Sequence, residues 1–260
     1  MRSSSSESIL IKGLRELSLP FTPAQVRAFM TYLSELKKWN KAYNLTSLKT
    51  DEDIIVKHFL DSLLYLNALP DGVVSVMDVG SGAGFPGIPL KVMRPGIKMY
   101  LLEPSRKKAN FLRHITQALA LDTIEVVEKR IEEVRSLAVD VAVTRALFGI
   151  MEFIKKASPH VKERGRLILS KGPKVKEELK GVREMDCEVL TLSLPTTHIK
   201  RFVVLIRKES ADMPPEETAP NSGAYHASSI FNITCVNSEC RLRKTGCRGF
   251  EGCPGFKARE

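Results

Sequence analysis

Residues 77–90 read MDVGSGAGFPGIPL, and four glycines, Gly80, Gly82, Gly84 and Gly87, crowd into eight of those positions. The apolar run VVSVMDV (73–79) precedes them and IPLKVM, which can start a helix, follows. Glycine accepts positive φ and lets a ligand reach bare backbone. A strand, a glycine turn and a helix N-terminus together present free amides to a ligand. Gly82, Gly84 and Gly87 formally satisfy the GxGxxG dinucleotide fingerprint. The plain alternative is a tight turn with solvated neighbours.

Two acids narrow the chemistry. Asp78 sits just before the turn, and Glu103 closes the next apolar run, IKMYLLE (97–103). That is roughly the offset at which an acid can take both hydroxyls of a ribose. An acid at the end of each of the first two strands suits a ligand with a cationic amino-acid end and a free ribose. S-adenosylmethionine is such a ligand, and it has no pyrophosphate.

The elements that must position these residues follow from periodicity. Helical spacing covers 22–41, with Thr22, Pro23 and Gln25 forming a capping pattern, and 51–67, where Ile55, Phe59, Leu63 and Leu66 make one stripe. From Val73 strands are expected at 73–79, 97–103, 123–127, 139–144, 166–170, 187–193 and 201–207. Helices fit between them at 86–93, 105–120, 130–136, 149–160 and 173–184. This alternation predicts an α/β fold with a mostly parallel sheet covered on both faces. The short link THIK makes the last two strands antiparallel.

Ligands in open α/β sheets bind at the carboxyl ends of the strands. Ile131 and Glu132 follow the third strand, where an amide and a carboxylate can reach an adenine edge. Arg145 follows the fourth strand, either facing a pocket or pairing with Asp78 or Glu103, and Lys171 follows the fifth. In the helical segment, Asn44 lies on a loop that can face the pocket. His58 has Asp61 one turn away to orient its imidazole; Lys57 and Asp61 form an i,i+4 pair. Trp39 and Tyr43 stand among Lys37, Lys38 and Lys41, either as packing residues or as a stacking surface for RNA bases.

Several stretches resemble the RsmG (GidB) family of bacterial small-subunit ribosomal RNA guanine-N-7 methyltransferases. They are WNKAYNLTS (39–47), VKHFLDSL (56–63), DVGSGAGFPGIPL (78–90), LLEPSRKKANFLR (101–113), RIEE (130–133), TRA (144–146) and GRLILSKG (165–172), and with their flanks they cover roughly residues 20–208. The resemblance implies a class I methyltransferase, Rossmann-like sheet of seven strands with one reversed. An N-terminal helical cap (1–68) would precede the cofactor-binding core (69–208). It implies S-adenosylmethionine contacts at Gly80, Phe85, Ile131, Glu132 and Arg145, beside Asp78, Gly82, Gly84 and the ribose acid Glu103. Asn44, His58, Arg145 and Lys171 become the candidates for the guanine and phosphate side. Guanine N-7 carries no proton, so the expected reaction needs alignment and no general base.

The net charge of +10 and pI near 9.4 favour an anionic partner, here small-subunit ribosomal RNA or the ribosomal subunit. No apolar run approaches a membrane span, and the serine-rich start lacks a signal peptide's apolar stretch. The expectation is a monomeric cytoplasmic protein with a frayed N-terminus. Two rivals stand beside the methyltransferase. One is a non-catalytic RNA-binding assembly factor that retains the cofactor pocket; the other is a dinucleotide-dependent oxidoreductase.

Residues 209–229 have linker composition, and 230–260 form a basic tail with Cys235, Cys240, Cys247 and Cys253. Gaps of four, six and five residues depart from C-x₂-C pairing. The thiolates can hold zinc or an iron–sulfur cluster, remain free, or form disulfides.

Overall fold

The computed structural model describes residues 5–173, 175–182 and 185–208. From Ser5 onward the serine-rich start is helical. Residues Ser5–Glu16 form α1, because Leu10 and Leu14, one helical turn apart, both bury completely. Helix α2 (Pro23–Tyr43) starts at the capping box of Thr22 and Gln25 and runs to Asn44, whose φ of +50° ends it in a left-handed cap.

The helix expected over 51–67 is four pieces instead of one. These are α3 (Asp51–Ile54), a π-helical stretch (Ile55–Leu60), α4 (Asp61–Leu63) and a 3₁₀ turn (Leu64–Asn67). Every piece buries apolar side chains. The wide π turn carries His58, and such turns recur where a helix presents functional groups.

Seven strands follow: β1 (Ser75–Val79), β2 (Lys98–Leu102), β3 (Ile124–Val127), β4 (Val139–Arg145), β5 (Val161–Lys171), β6 (Cys187–Ser193) and β7 (Lys200–Arg207). Their order across the sheet is β3-β2-β1-β4-β5-β7-β6. Neighbours pair in parallel from β3 through β5, while β7 runs antiparallel to both β5 and β6. Strand β5 starts five residues before the expected 166, because Val161 already pairs with Val139 across an irregularity in register.

Helices α5 (Gly87–Met93) and α6 (Arg106–Ala118) follow β1 and β2, and α7 (Ile150–Ala157) follows β4. The helix expected over 130–136 shrinks to a 3₁₀ turn, Ile131–Glu133, in which only Ile131 buries. The one expected over 173–184 is α8 (Val175–Glu178) followed by a 3₁₀ turn, Leu179–Val182.

Side chains alternate across the sheet. Val76 joins the core shared with α1, α2, α5 and α6, while Met77 and Val79 join the core under α7 and α8. The first core runs continuously from Leu10 to Leu205, so the cap helices and the sheet share it. The strand order reverses between β1 and β4, and a crevice at the carboxyl ends is expected there. No described helix is long and apolar enough to cross a membrane. The cysteine tail and its metal reading lie outside the described residues.

Candidate active site

The turn after β1 is held from three sides. The amides of Gly80 and Ser81 both donate to the Leu102 carbonyl, at 2.9 and 3.0 Å, which ties the turn to the end of β2. The Gly82 amide donates to Glu103 Oε2, and the Ser105 amide to Oε1, both at 2.9 Å. Glu103 thus fixes the turn to the start of α6, with its carboxylate at the position expected for a ribose partner. Gly82 has φ +60° and a Cβ there would meet nothing closer than 3.9 Å, so the turn keeps an open face at this residue.

Asp78 lies beneath the turn, fully buried. Its Oδ2 accepts from the Gly87 amide at 2.9 Å, and its Oδ1 has no hydrogen-bond partner. A Cβ at Gly87 would lie 2.8 Å from that carboxylate, so Gly87 permits α5 to start against Asp78. Burial pushes the Asp78 carboxyl up to about 7, against the pull of the Gly87 amide and Arg145. A buried carboxylate short of partners is stabilised by a cation, and the ammonium and sulfonium of S-adenosylmethionine are cations. The open turn, the partner-short acid and Glu103 therefore fit that cofactor. Ile131 is buried after β3, and Glu132 beside it is ion-paired to Lys156.

Arg145, at the end of β4, is clamped by the cap. One Nη donates to the Lys57 carbonyl at 3.1 Å and approaches Asp61 Oδ2 at 3.4 Å; the other lies 2.9 Å from His58 Nδ1. Its guanidinium sits 5.2 Å from the Phe85 ring centroid, and His58 stacks on the same ring at 4.4 Å and 17°. The alternatives of Asp78 or Glu103 as its ion-pair partner do not hold.

Arginine cannot accept a hydrogen bond, so His58 Nδ1 is the acceptor. Nε2 then carries the proton and donates to Thr46 Oγ1 at 2.7 Å. Burial and the Arg145 charge push the imidazole down to about 3. His58 is a neutral strut with both nitrogens engaged. Asp61 does not orient it. That carboxylate is buried between two arginines, with Arg201 Nε donating to Oδ1 at 2.7 Å, and Lys57 pairs with Asp53.

Lys57, His58, Asp61, Arg145 and Arg201 line a cleft of about 360 Å³ with Ser47, Ser170 and Lys171. The Lys171 ammonium reaches Glu178 at 2.9 Å and the Phe148 carbonyl. Tyr65 braces the floor by donating to the Thr144 carbonyl and accepting from the Ser170 amide at 2.9 Å. Asn44 is not among the lining residues; it caps α2 and turns the chain toward Thr46 and Ser47. Sequence reasoning missed Arg201, which only the β5–β7 register brings to Ser170 and Lys171. It also missed Leu147, which is half-exposed and whose Cδ2 methyl would overlap a Cβ at Gly80.

A sheet of this order, with a reversed β7 and a glycine turn between acids at the ends of β1 and β2, defines a class I methyltransferase architecture. The family model described as rRNA small subunit methyltransferase G matches residues 25–203, and the chain belongs to that family. It is 39% identical over 213 residues to the ribosomal RNA small subunit methyltransferase G of Pelotomaculum thermopropionicum, covering 76% of this chain and 88% of the relative. The Nitrosococcus oceani protein of the same name is 38% identical, covering 79% of this chain and 96% of its own. Among solved structures, a SAM-dependent methyltransferase from Aquifex aeolicus aligns at 18% identity with a TM-score of 0.47, over 67% of this chain and 97% of that one. That likeness is too weak to carry weight, and the strand order itself defines the fold. Family membership removes the dinucleotide oxidoreductase alternative.

Proposed function

We propose that this protein transfers a methyl group from S-adenosylmethionine to N-7 of a guanine in small-subunit ribosomal RNA. The observation that carries the reading is the neutral, doubly engaged His58 holding Arg145 at the mouth of a cationic cleft beside the glycine turn. The cofactor supplies an electrophilic methyl group when bound. Asp78, Gly80, Gly82, Gly84, Phe85, Glu103, Ile131, Glu132 and Arg145 are the residues that would hold it.

Guanine presents O6 and N7 as acceptors on its major-groove edge. A donor on N7 would occupy the lone pair that must attack, so Arg145 serves this reaction by binding O6 or a phosphate. No group in the cleft needs to take a proton, and His58, with both nitrogens used, is unsuited to do so. Rate then comes from alignment, which can contribute roughly 7–11 kcal/mol at best. Arg201 and Lys171 add positive charge for the RNA backbone. The protein acts in this reading as a cytoplasmic monomer on RNA or on a ribosomal subunit. We further propose that Cys235, Cys240, Cys247 and Cys253 ligate a metal, with one zinc or one cluster per chain expected in metal analysis; a metal-free chain contradicts that part.

The test is transfer of labelled methyl from S-adenosylmethionine to small-subunit RNA, naked and protein-bound, with the modified base mapped. Label on one guanine supports the reading. No label, with cofactor and RNA both bound, leaves an RNA-binding assembly factor.

A further inference from the structure

A second cleft, of about 310 Å³, lies between the end of α2 and the start of α6 and is lined by Trp39, Tyr43, Arg106, Lys107 and Asn110. It shares no lining residue with the cleft at Arg145. Its volume is at the lower end of the roughly 300–1,000 Å³ usual for small-ligand sites.

One wall is aromatic. Trp39 and Tyr43 are four residues apart on α2 and their rings meet at 5.4 Å. Trp39 rests on Phe111 at 5.5 Å and on His114 at 5.0 Å, which fixes the indole from behind. Tyr43 is 43% exposed, so its ring adds little to the core. The other wall is cationic. Arg106, Lys107 and Asn110 are exposed on the first turns of α6. Neither Arg106 nor Lys107 has an ion-pair partner among the described residues.

An immobilised aromatic pair facing free cations and a carboxamide matches a nucleotide in an unpaired strand. Every base offers a π face to stack, and its phosphate takes the guanidinium and ammonium. Topology places this cleft with the first one. Strands β2 and β4 are parallel through β1, so the starts of α6, after β2, and Arg145, ending β4, lie at the same edge of the sheet.

We propose that the Trp39–Tyr43–Arg106–Lys107 cleft is a second RNA site that stacks an unpaired nucleotide of the substrate strand away from the guanine being methylated. It rests on the RNA-methylation reading and assigns that substrate a second anchor. The cleft holds no part of the cofactor and binds without regard to base identity, because its contacts are a π face and a phosphate.

Trp39 is the single tryptophan of the chain, so its emission reports this cleft alone in the full-length protein. Titration with a dye-labelled single-stranded RNA oligonucleotide should quench Trp39 saturably, with the same midpoint as the dye's polarisation. A fully duplex RNA should not quench, and neither should S-adenosylmethionine alone. The R106A/K107A and Y43A variants, which leave the indole in place, should raise KM for RNA roughly 10-fold, the scale of one stacked nucleotide. Their kcat at saturating RNA and their cofactor Kd should stay unchanged. Polarisation showing RNA bound while Trp39 is unmoved overturns the second site and leaves the methyltransferase reading intact. Absence of any RNA binding overturns both. Quenching by S-adenosylmethionine alone assigns the cleft to the cofactor and also overturns the proposal.

Discussion

Arg145 donates to His58 Nδ1 at 2.9 Å, and the pair shares one aromatic platform, Phe85. The charge at the mouth of the cleft is therefore positioned by a neutral ring. Substituting His58→Ala should loosen Arg145 and lower kcat/KM for RNA by up to about 100-fold, the cost of misplacing a positioned group. The wild-type kcat should be flat around neutrality, because His58 titrates at about 3. Its folded pKa lies below the ordinary 6.5, so the stability that neutral His58 contributes is complete above about pH 6.5 and is lost as pH falls toward 3. Rate profiles and acid unfolding of both proteins check this; an acidic rate limb in wild type that disappears in the variant would contradict it.

Asp61 is the common counter-ion of Arg145 and Arg201 and is 4% exposed. Asp61→Ala leaves two guanidinium groups close together without their carboxylate. The expected loss of folding stability is about 3–5 kcal/mol, measured by denaturant unfolding. The R201A variant should cost less stability and mainly raise KM for RNA.

Asp78 gives the cofactor site a pH dependence. Its folded pKa of about 7 lies above the ordinary 3.8, so the folded state holds a proton that the unfolded chain has released. Stability therefore falls as pH rises from about 4 to about 7, and the penalty persists above that. The D78N variant should be more stable than wild type at about pH 8, with the difference shrinking toward about pH 4. A cationic cofactor favours the charged carboxylate, so wild-type affinity for S-adenosylmethionine should rise between about pH 6 and pH 8, releasing protons on binding. In D78N the affinity should be weaker and nearly level. Calorimetry in buffers of different ionisation enthalpy measures both.

Two glycines should separate fold from binding. Gly82→Ala meets open space at φ +60°, so its folding cost is that of a left-handed alanine, about 1–2 kcal/mol. Its methyl projects from the open face of the turn and should weaken cofactor binding more than 10-fold (about 1.4 kcal/mol). Gly87→Ala presses on Asp78 and Leu101 and should lower the melting temperature further. Thermal melts with and without cofactor distinguish the two.

The tail carries six Arg or Lys against three Glu from Cys235 to Glu260. Removing residues 210–260 should weaken RNA binding and flatten its dependence on salt, while cofactor affinity stays the same. An unchanged salt slope would show that the tail contributes no phosphate contacts.

The sheet was legible because alternating apolar runs and helical stripes are local signals, and THIK announced the antiparallel pair β6–β7. Asp78, Glu103 and the glycine turn were legible because one short segment and the end of the next strand carry them. Asp61 was visible but misassigned: its partners, Arg145 and Arg201, are 84 and 140 residues away. Arg201 was invisible for the same reason, since only sheet register brings it to the cleft. Asn44 drew attention as a polar loop residue, yet a left-handed helix cap explains its type, and Thr46 two residues later makes the contact with His58. The break of 51–67 into π and 3₁₀ turns left no mark in an apolar stripe that fits either geometry.

The most direct test of guanine N-7 transfer is a transcript of the substrate region in which guanosine is replaced by 7-deazaguanosine. This removes the attacking nitrogen and keeps base pairing. Wild-type protein and S-adenosylmethionine should label the ordinary RNA on one guanine, while the 7-deaza RNA should bind with similar affinity and accept no methyl group. Equal labelling of both RNAs would contradict N-7 transfer, placing the methyl on another atom.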